Sequence, residues 1–320
     1  MRLVHPRGSL TGPEDGDVVR LTPQEAGWTY TGLRVVALSP GVERTVRTSD
    51  AEVFVLPLSG GLRITVTAEA APGEREATYD LVGRDSVFTR VTDFAYAGRD
   101  SVLTLLSPDG AEVALPSAVC ERRRPPAYGP AEDVPVEVRG AGGATRQVTG
   151  FGIPGVWDHA EKLVACELLT PPGNWSSYPP HTHDATEPCE AVNEEIYYYR
   201  IAGPDQVTPT GQGFGLHRTY TAAEHDKAGL DPIDLDVEVR DGDVVLVPHG
   251  YHGPCVAAPG YPMYYLNVLA GPGADRSMAF CDDPDHGWVR GTWDAEELDP
   301  RVPMTGAGAI VADGTVRRPA

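Results

Sequence analysis

Short stretches in which apolar and polar residues alternate recur along the chain, and turns rich in glycine and proline separate them. Residues 62–67 and 235–240 alternate with a period of two, which is typical of strands with one buried and one solvated face. Ser59-Gly60-Gly61 precedes the first of these runs and predicts a hairpin turn. Because similar runs fill both halves of the chain, the pattern predicts an all-β protein of sandwiches or barrels.

The chain is long enough for more than one hydrophobic core, since it has 320 residues. Residues 119–143 are rich in proline and glycine and interrupt the strand pattern in the manner of a linker. We therefore predict two β-domains, at residues 1–138 and 139–320. The first half has no histidine between His5 and His159, so we expect a structural domain that has lost its metal ligands.

The charge of the chain limits its partners. There are 46 acidic and 26 basic residues, a formal net charge of −20, which disfavours binding to nucleic acid or to anionic lipid. No apolar run approaches the roughly 20 residues of a membrane span, and the first residues lack the apolar core of a signal peptide. We therefore expect a cytoplasmic protein with no nucleic-acid or membrane partner. Exposed strand edges permit a homo-oligomer but do not fix its size.

The strongest chemical signal is the sequence Pro-Pro-His-Thr-His-Asp, which contains His181 and His183. Side chains alternate along an extended segment, so these two imidazoles project to the same side. Glu195 opens a strand-like aromatic run, and a predicted strand at residues 242–247 leads through a Pro-x-Gly turn to His252. Three imidazoles and one carboxylate predict one divalent ion, which could be zinc, iron, manganese or nickel.

Two of these ligand positions have a close competitor. His249 flanks the same Gly-Tyr pair as His252, and Glu194 directly precedes Glu195, so residue order alone does not separate them. Cys189, in the acidic loop near the proposed metal, is a further candidate ligand. The five cysteines are scattered and never form a Cys-x-x-Cys pair, so the sequence predicts neither a disulfide framework nor a thiolate cluster.

Side chains on the strands around this site are candidates for contact with a substrate. Period-two alternation places Tyr197 and Tyr199 on the face of Glu195, so we expect both phenols to line the metal cavity, and it groups Tyr265 with Asn267 on a later strand. In a protein this acidic, a carboxylate substrate requires at least one arginine. The candidates for substrate binding are Arg200, Arg218, Tyr251 and Asn267.

The longer strings of residues resemble a known family. Residues 169–184, 194–201, 241–252 and 258–272 are similar to the 5-deoxyglucuronate isomerases of bacterial myo-inositol catabolism, in the cupin superfamily; weaker similarity at residues 86–94 and 139–148 extends the match over most of the chain. The resemblance implies a bicupin, with two jelly-roll β-barrels in one chain and a metal in the second. The ligands that it implies are His181, His183, Glu195 and His252.

The resemblance also implies a reaction, the aldose-to-ketose isomerisation of 5-deoxy-D-glucuronate, with the metal as a Lewis acid. Tyr199, Tyr265 or a metal-bound hydroxide are the candidates for the proton shuttle. The resemblance includes an arginine that family members commonly carry where His249 stands. If that arginine helps to hold the substrate carboxylate, the role passes in this chain to Arg200 or Arg218.

Other classes share parts of this pattern. The same ligand set serves cupin dioxygenases, which consume oxygen, and a related bicupin family isomerises 5-keto-4-deoxyuronate with a shorter spacing from His-x-His to Glu. Metal-free cupins serve as sugar sensors, but the sequence contains no evident helix-turn-helix and its net charge is negative, which disfavours a sensor that binds DNA.

Overall fold

The structure is a computed structural model that describes residues 1–14, 16–69, 76–185, 189–222, 230–307, 310–312 and 315–316. The first half contains β1 (Val4–His5), β2 (Asp17–Leu21), α1 (Pro23–Ala26), β3 (Thr31–Leu38), β4 (Arg44–Arg47), β5 (Ala51–Ala68), β6 (Ala77–Arg84), β7 (Phe94–Ala97), β8 (Ser101–Leu106), β9 (Ala111–Val119) and β10 (Ala127–Gly129). Short 3₁₀ helices lie at Ala131–Asp133, Gly142–Ala144 and Gly287–Ala295.

The second half is also built from strands. They are β11 (Val136–Arg139), β12 (Arg146–Gly152), β13 (Val164–Thr170), β14 (Trp175–Ser176), β15 (His181–Thr182), β16 (Glu194–Ile201), β17 (Gly215–Tyr220), β18 (Asp234–Val239), β19 (Val244–Val247), β20 (Tyr251–Ala257), β21 (Met263–Ala270), β22 (Cys281–Asp282), β23 (Ile310–Ala312) and β24 (Thr315–Val316). Within the described ranges, no helix combines the length and apolar character of a membrane span.

The first barrel is organised around the long strand β5, which pairs with β7 and β9 along its first part and with β6 and β8 along its second part. Apolar side chains fill the space between these strands, among them Val55, Ile64, Leu103 and Val113. A packed apolar interior of this kind stabilises the barrel and leaves little room for a polar site.

The second barrel has two facing sheets. One runs in the order β1-β19-β16-β21-β13-β12-β11-β23-β24, and the other contains β18-β17-β20-β15-β22 with β14 beside β20. Strands β16 and β21 lie side by side in the middle of the first sheet, and every residue of β21 is buried. The prediction of an all-β bicupin with two barrel-like domains is confirmed.

The segment predicted to be a linker, residues 119–143, contains strands instead. Strand β10 pairs with β7 of the first barrel, whereas β11 pairs with β12 of the second. Strand β11 therefore crosses the boundary predicted between residues 138 and 139. The N-terminal strand β1 also joins the second barrel, because it pairs with β19.

Buried polar contacts join the two barrels. The Glu52 carboxylate accepts hydrogen bonds from the backbone N–H groups of Glu161, Lys162 and Leu163, at 2.8, 2.5 and 2.7 Å. Arg84 of the first barrel forms a buried ion pair with Glu167 of the second. Because these charged groups are paired inside the protein, they fix the position of one barrel against the other.

Candidate metal centre

The carboxylate of the site lies at the start of β16. Consecutive side chains of a strand point to opposite faces, so Glu194 and Glu195 diverge. Glu194 accepts hydrogen bonds from the backbone N–H groups of Thr29, Tyr30 and Thr31, at 2.7 to 2.9 Å. Glu195 is buried inside the second barrel, beside two imidazoles. The geometry therefore favours Glu195 over Glu194 as the ligand.

The imidazoles come from the opposite sheet. His181 on β15 and His252 on β20 are register partners, and their ring centroids lie 4.4 Å apart. His183 follows β15, and its Nε2 lies 2.8 Å from Glu195 Oε2. The ligand atoms of His183, Glu195 and His252 all lie within 4.8 Å of one another. His181 lines the same cavity.

The donor atoms of this cluster fit a metal ion. His252 is fully buried, and neither of its ring nitrogens has a hydrogen-bond partner among the described residues. Its Nε2 lies 3.0 Å from Glu195 Oε2, but not in hydrogen-bond alignment. A buried nitrogen without a partner is costly, and coordination of a cation would compensate it. Backbone carbonyls hold the Nδ1 atoms of the other two imidazoles, Asn193 O for His183 and Pro179 O for His181, each at 3.1 Å, so Nε2 is the atom that each ring can offer to a metal.

The electrostatics of the cluster agree with this assignment. Burial alone would raise the pKa of Glu195, but His252 and His183 hold it well below its usual range. Burial, together with His252, lowers the pKa of His181 well below its usual range. Glu195 raises the pKa of His183 against the effect of burial. The carboxylate is therefore ionised, and its charge attracts a cation to the space between the imidazoles.

Asn267 of β21 lies beside this carboxylate. Its Nδ2 donates a hydrogen bond of 2.5 Å to Glu195 Oε1, the oxygen that the imidazoles do not contact. Asn267 was predicted to bind substrate, and in the structure its amide orients the ligand carboxylate.

Three tyrosines, Tyr197, Tyr199 and Tyr265, are buried in the same barrel. Ser177 Oγ is hydrogen-bonded to the hydroxyls of Tyr265, at 2.9 Å, and of Tyr197, at 3.3 Å. The Tyr199 hydroxyl is hydrogen-bonded to His217 Nδ1 at 2.7 Å. Burial raises the pKa of Tyr199 and of Tyr265 well above the usual range. Tyr197 and Ser177 line the cavity, whereas Tyr199 does not. Ser177 was missing from the predicted site residues.

The structure does not bring three of the predicted substrate-binding residues to the cavity. Arg200 points to the other face of β16, where it pairs with Asp241 and with Glu112 of the first barrel, at 2.7 and 2.6 Å. Arg218 is partly exposed and its guanidinium lies 4.4 Å from the centroid of the Tyr220 ring. Tyr251 packs against Tyr220, with a ring-centroid separation of 5.7 Å. Alternation along each strand accounts for these orientations.

The guanidinium groups that do line the cavity belong to Arg139, Arg146 and Arg290. None of the three was among the predicted site residues, because Arg139 fell in the segment interpreted as a linker and neither Arg146 nor Arg290 belongs to a metal motif. The sole sequence signal was the similarity of residues 139–148 to the isomerase family.

The remaining candidate ligands lie outside the cluster. His249 is hydrogen-bonded to the backbone oxygen of Asp231 at 3.1 Å, at an exposed position. Cys189 forms a disulfide with Cys281, 92 residues away in the sequence. The prediction of no disulfide was therefore wrong, and in this bonded form Cys189 has no thiolate to offer a metal. Spacing along the chain could not reveal the pair, because the fold brings the two cysteines together.

A bicupin with a buried His-Glu-His cluster in its second barrel is the class of protein that the fold and site define. A family model of the KduI/IolB family matches residues 5–289. The chain belongs to the KduI/IolB family.

Curated relatives match over nearly the whole chain. The 5-deoxy-glucuronate isomerase of Geobacillus kaustophilus (strain HTA426) is 38% identical over 291 residues, which cover 90% of this chain and 95% of that protein. The 5-deoxy-glucuronate isomerase of Bacillus subtilis (strain 168) is 35% identical over 275 residues, covering 85% and 92% of the two chains.

Solved structures agree with the fold. An IolB-like protein from Salmonella typhimurium LT2 aligns with a TM-score of 0.76 and 29% identity, covering 90% of this chain and 99% of that one. A Lactobacillus farciminis oxalate decarboxylase aligns with a TM-score of 0.61 over 88% of each chain, but at 13% identity this likeness concerns the fold alone.

Proposed function

We propose that this protein is a metal-dependent aldose–ketose isomerase that converts 5-deoxy-D-glucuronate into 5-dehydro-2-deoxy-D-gluconate. The observation that carries the proposal is the buried cluster of His183, Glu195 and His252 in a cavity that arginines also line. A metal ion held by the cluster would suit the carbonyl and hydroxyl oxygens of the substrate, and the arginines suit its carboxylate. One cavity therefore offers both contacts. Relatives that are 35–39% identical and bear the name 5-deoxy-glucuronate isomerase support the same substrate.

The reaction moves hydrogen between adjacent carbons of the sugar. A base removes the proton from C2, which gives an enediol, and a proton is then delivered to C1, while the hydroxyl proton on O2 is lost and O1 gains one. The aldehyde thereby becomes a hydroxymethyl group and the C2 alcohol becomes a ketone, with no net change in atoms or electrons. The protein has to hold C1 and C2 in place, exclude water and carry one proton over a short distance.

The residues that would hold the metal are His183, Glu195 and His252, with His181 from the same cavity as the fourth ligand and Asn267 orienting the carboxylate. A divalent ion bound there supplies Lewis acidity to the carbonyl and hydroxyl oxygens. Zinc, manganese, iron and nickel all accept imidazole and carboxylate ligands.

Tyr265 and Tyr199 remain our candidates for proton transfer. Tyr265 shares the Ser177 hydroxyl with Tyr197, whose ring centroid lies 6.1 Å from that of His252. A chain of hydroxyls of this kind can carry a proton between the cavity and the barrel interior. Tyr199 is farther along the barrel, against His217 and Cys255. Replacing each tyrosine by phenylalanine tests the roles, because the hydroxyl is removed and the ring remains.

We also propose that the enzyme acts in myo-inositol catabolism in the cytoplasm. The names of the curated relatives support the reaction, and the pathway and location follow from the family resemblance. The disulfide between Cys189 and Cys281 argues in the other direction, because reducing compartments disfavour such bonds. Thiol alkylation in intact cells would decide whether the bond exists there.

A proton NMR time course under anaerobic conditions, with protein of known metal content and 5-deoxy-D-glucuronate in heavy water, tests the proposal. We expect the aldehyde signal to fall while the ketose signals grow, and deuterium to enter the new hydroxymethyl group if a protein base exchanges its proton with solvent. No change without oxygen, together with oxygen uptake in air, would replace the isomerase by a dioxygenase. Turnover of 5-keto-4-deoxyuronate instead would assign the other isomerase reaction.

A further inference from the structure

Two arginines face each other across a pair of strands at the cavity wall. Arg139 ends β11 and Arg146 begins β12, and they are register partners. Like charges directly opposite one another in a sheet are destabilising. Such an arrangement requires a compensating negative charge, either from the protein or from a ligand.

Carboxylates of the protein supply this negative charge to two of the three arginines that line the cavity. Arg139 pairs with Glu137 through two hydrogen bonds of 2.8 and 2.7 Å. Arg290, which lies on the same cavity, pairs with Asp282. Among the described residues, no carboxylate lies within ion-pair distance of Arg146. Of the three guanidiniums on the cavity wall, Arg146 is therefore the one without a carboxylate in ion-pair distance, because Glu195, which lines the same cavity, lies among the imidazoles.

Arg146 is nevertheless almost fully buried, with 3% of its surface exposed. Its terminal nitrogens donate to the backbone oxygens of Ala144 and Tyr178, at 3.2 and 3.3 Å, and its Nε has no partner among the described residues. Burial and the charge of Arg139 lower its pKa to about 9. A buried cation with an unpartnered donor is costly, and an anion in the cavity would remove that cost.

The arginines and the metal ligands lie on one continuous wall. The Arg290 guanidinium lies 5.3 Å from the centroid of the Phe280 ring, and that ring packs against His181 with a centroid separation of 4.7 Å. The Trp293 ring lies beneath both Arg290 and Arg146, at 5.3 and 5.6 Å. A small molecule in the cavity can therefore contact the guanidiniums at one end and the metal ligands at the other.

We propose that Arg146, flanked by Arg139 and Arg290, binds the carboxylate of a sugar-acid substrate whose carbonyl end lies at the metal ligands. This inference rests on the proposed function and names the residues that select the acid. It assigns to Arg146 the carboxylate-binding role that the sequence predicted for Arg200 or Arg218. A planar guanidinium with a free Nε–H is suited to carboxylate oxygens.

The test compares two substrates that differ only at the acid end. They are 5-deoxy-D-glucuronate and 5-deoxy-D-glucose, which carries a hydroxymethyl group in place of the carboxylate. For Arg146→Gln we expect kcat/KM on the acid to fall by about 10- to 150-fold, as for the loss of a hydrogen bond between charged groups. The change should lie mainly in KM. The residual rate on 5-deoxy-D-glucose and the metal content should stay at the wild-type values.

Arg63→Gln is the matched control, because it removes an arginine from a solvent-exposed pair with Asp80 on the first barrel. It should leave both rates unchanged. Equal losses of Arg146→Gln on the two substrates would overturn the proposal, because they would indicate a structural role. An unchanged preference for the acid would overturn it as well.

A second variant keeps the test decisive if Arg146→Gln does not fold. Arg146→Lys retains the buried charge but not the planar fork, so the preference for the acid over the neutral sugar should fall to an intermediate value. A wild-type preference in a folded Arg146→Lys protein would contradict the role of the fork.

Failure of the proposed function can be recognised separately. If the wild-type protein isomerises neither sugar, the isomerase proposal is wrong, and the binding of gluconate measured by calorimetry then tests Arg146. Binding that weakens in Arg146→Gln but not in Arg63→Gln would support the carboxylate site. Equal binding by wild type and Arg146→Gln would overturn it.

Discussion

Glu194 and Glu195 are neighbours on one strand, and their carboxylates serve opposite faces of the sheet. Glu194 accepts backbone hydrogen bonds from Thr29, Tyr30 and Thr31 of the first barrel, and Glu195 lies among the imidazoles of the second. A single step along β16 therefore separates contact between the barrels from metal coordination. This division predicts that substitutions of Glu194 and of Glu195 have different effects.

For Glu195→Gln we expect a loss of metal with little loss of folded protein. The glutamine amide has nearly the same shape as the carboxylate but no charge. Metal affinity should fall by at least about 10- to 100-fold, because losses of that size are typical for residues that only hydrogen-bond to a metal ligand. Metal content after dialysis and a competition titration with a chelator measure this effect. A Glu195→Gln protein that retained the wild-type affinity would exclude Glu195 as a ligand.

Glu194→Ala should show the reverse behaviour. It leaves three backbone N–H groups without their carboxylate acceptor, and the loss should lower the free energy of unfolding by about 1.5–3 kcal/mol. Metal affinity should not change. Urea unfolding followed by circular dichroism, with the metal content of the same sample, tests both statements, and loss of metal would show that the two faces are not independent.

The two histidines that flank Gly250-Tyr251 should also differ. His252 is fully buried in the cluster, whereas His249 lies at the edge with its imidazole on the backbone of Asp231. We expect His252→Ala to abolish stoichiometric metal binding and His249→Ala to preserve it. Elemental analysis of both purified variants decides between them. Loss of metal from His249→Ala but not from His252→Ala would show that His249 is the ligand.

The ion pair between Arg84 and Glu167 should contribute strongly to the stability of the assembled barrels. Both side chains are buried, and the Tyr264 hydroxyl donates to the same carboxylate at 2.8 Å. Arg84→Met leaves that carboxylate without its cation, which should cost about 3–5 kcal/mol of unfolding free energy. The control Arg63→Met removes an exposed arginine and should have little effect. Similar unfolding curves for the two variants would argue against a structural role of the buried pair.

The disulfide between Cys189 and Cys281 closes a long loop that contains strands β16 to β21 of the second barrel. Its loss in Cys189→Ser should lower stability by about 2–4 kcal/mol. Mass spectrometry of protein alkylated under denaturing conditions without reductant should find these two cysteines linked, and Cys120, Cys166 and Cys255 modified. Full alkylation of all cysteines would show that the bond is absent from the isolated protein.

Much of the fold was predictable because strand alternation is a local property. The pattern of residues 235–240 corresponds to β18, and the run after Glu195 corresponds to β16. The common direction of the His181 and His183 side chains likewise follows from an extended segment, in which residues two positions apart project to the same side. These features depend on a period of two and need no knowledge of distant residues.

The parts that sequence reasoning missed depend on register and on distant contacts. Arg139 and Arg146 meet only because β11 and β12 form a hairpin, and the segment that contains β11 resembled a linker in composition. Arg290 reaches the cavity from a 3₁₀ helix in a loop-rich tail, where no periodic pattern marks it. Arg200 is close to Glu195 in the sequence but does not reach the cavity. The two residues are an odd number of positions apart on β16, so their side chains lie on opposite faces of the sheet.

The most direct test of the account is a metal titration of protein from which all metal has been removed. Isomerisation of 5-deoxy-D-glucuronate should be absent at first, rise in proportion to added metal and level off at one equivalent per chain, with no response in Glu195→Gln. Full turnover by wild-type protein after quantitative removal of metal would contradict the central claim that the cluster of His183, Glu195 and His252 is a catalytic metal site.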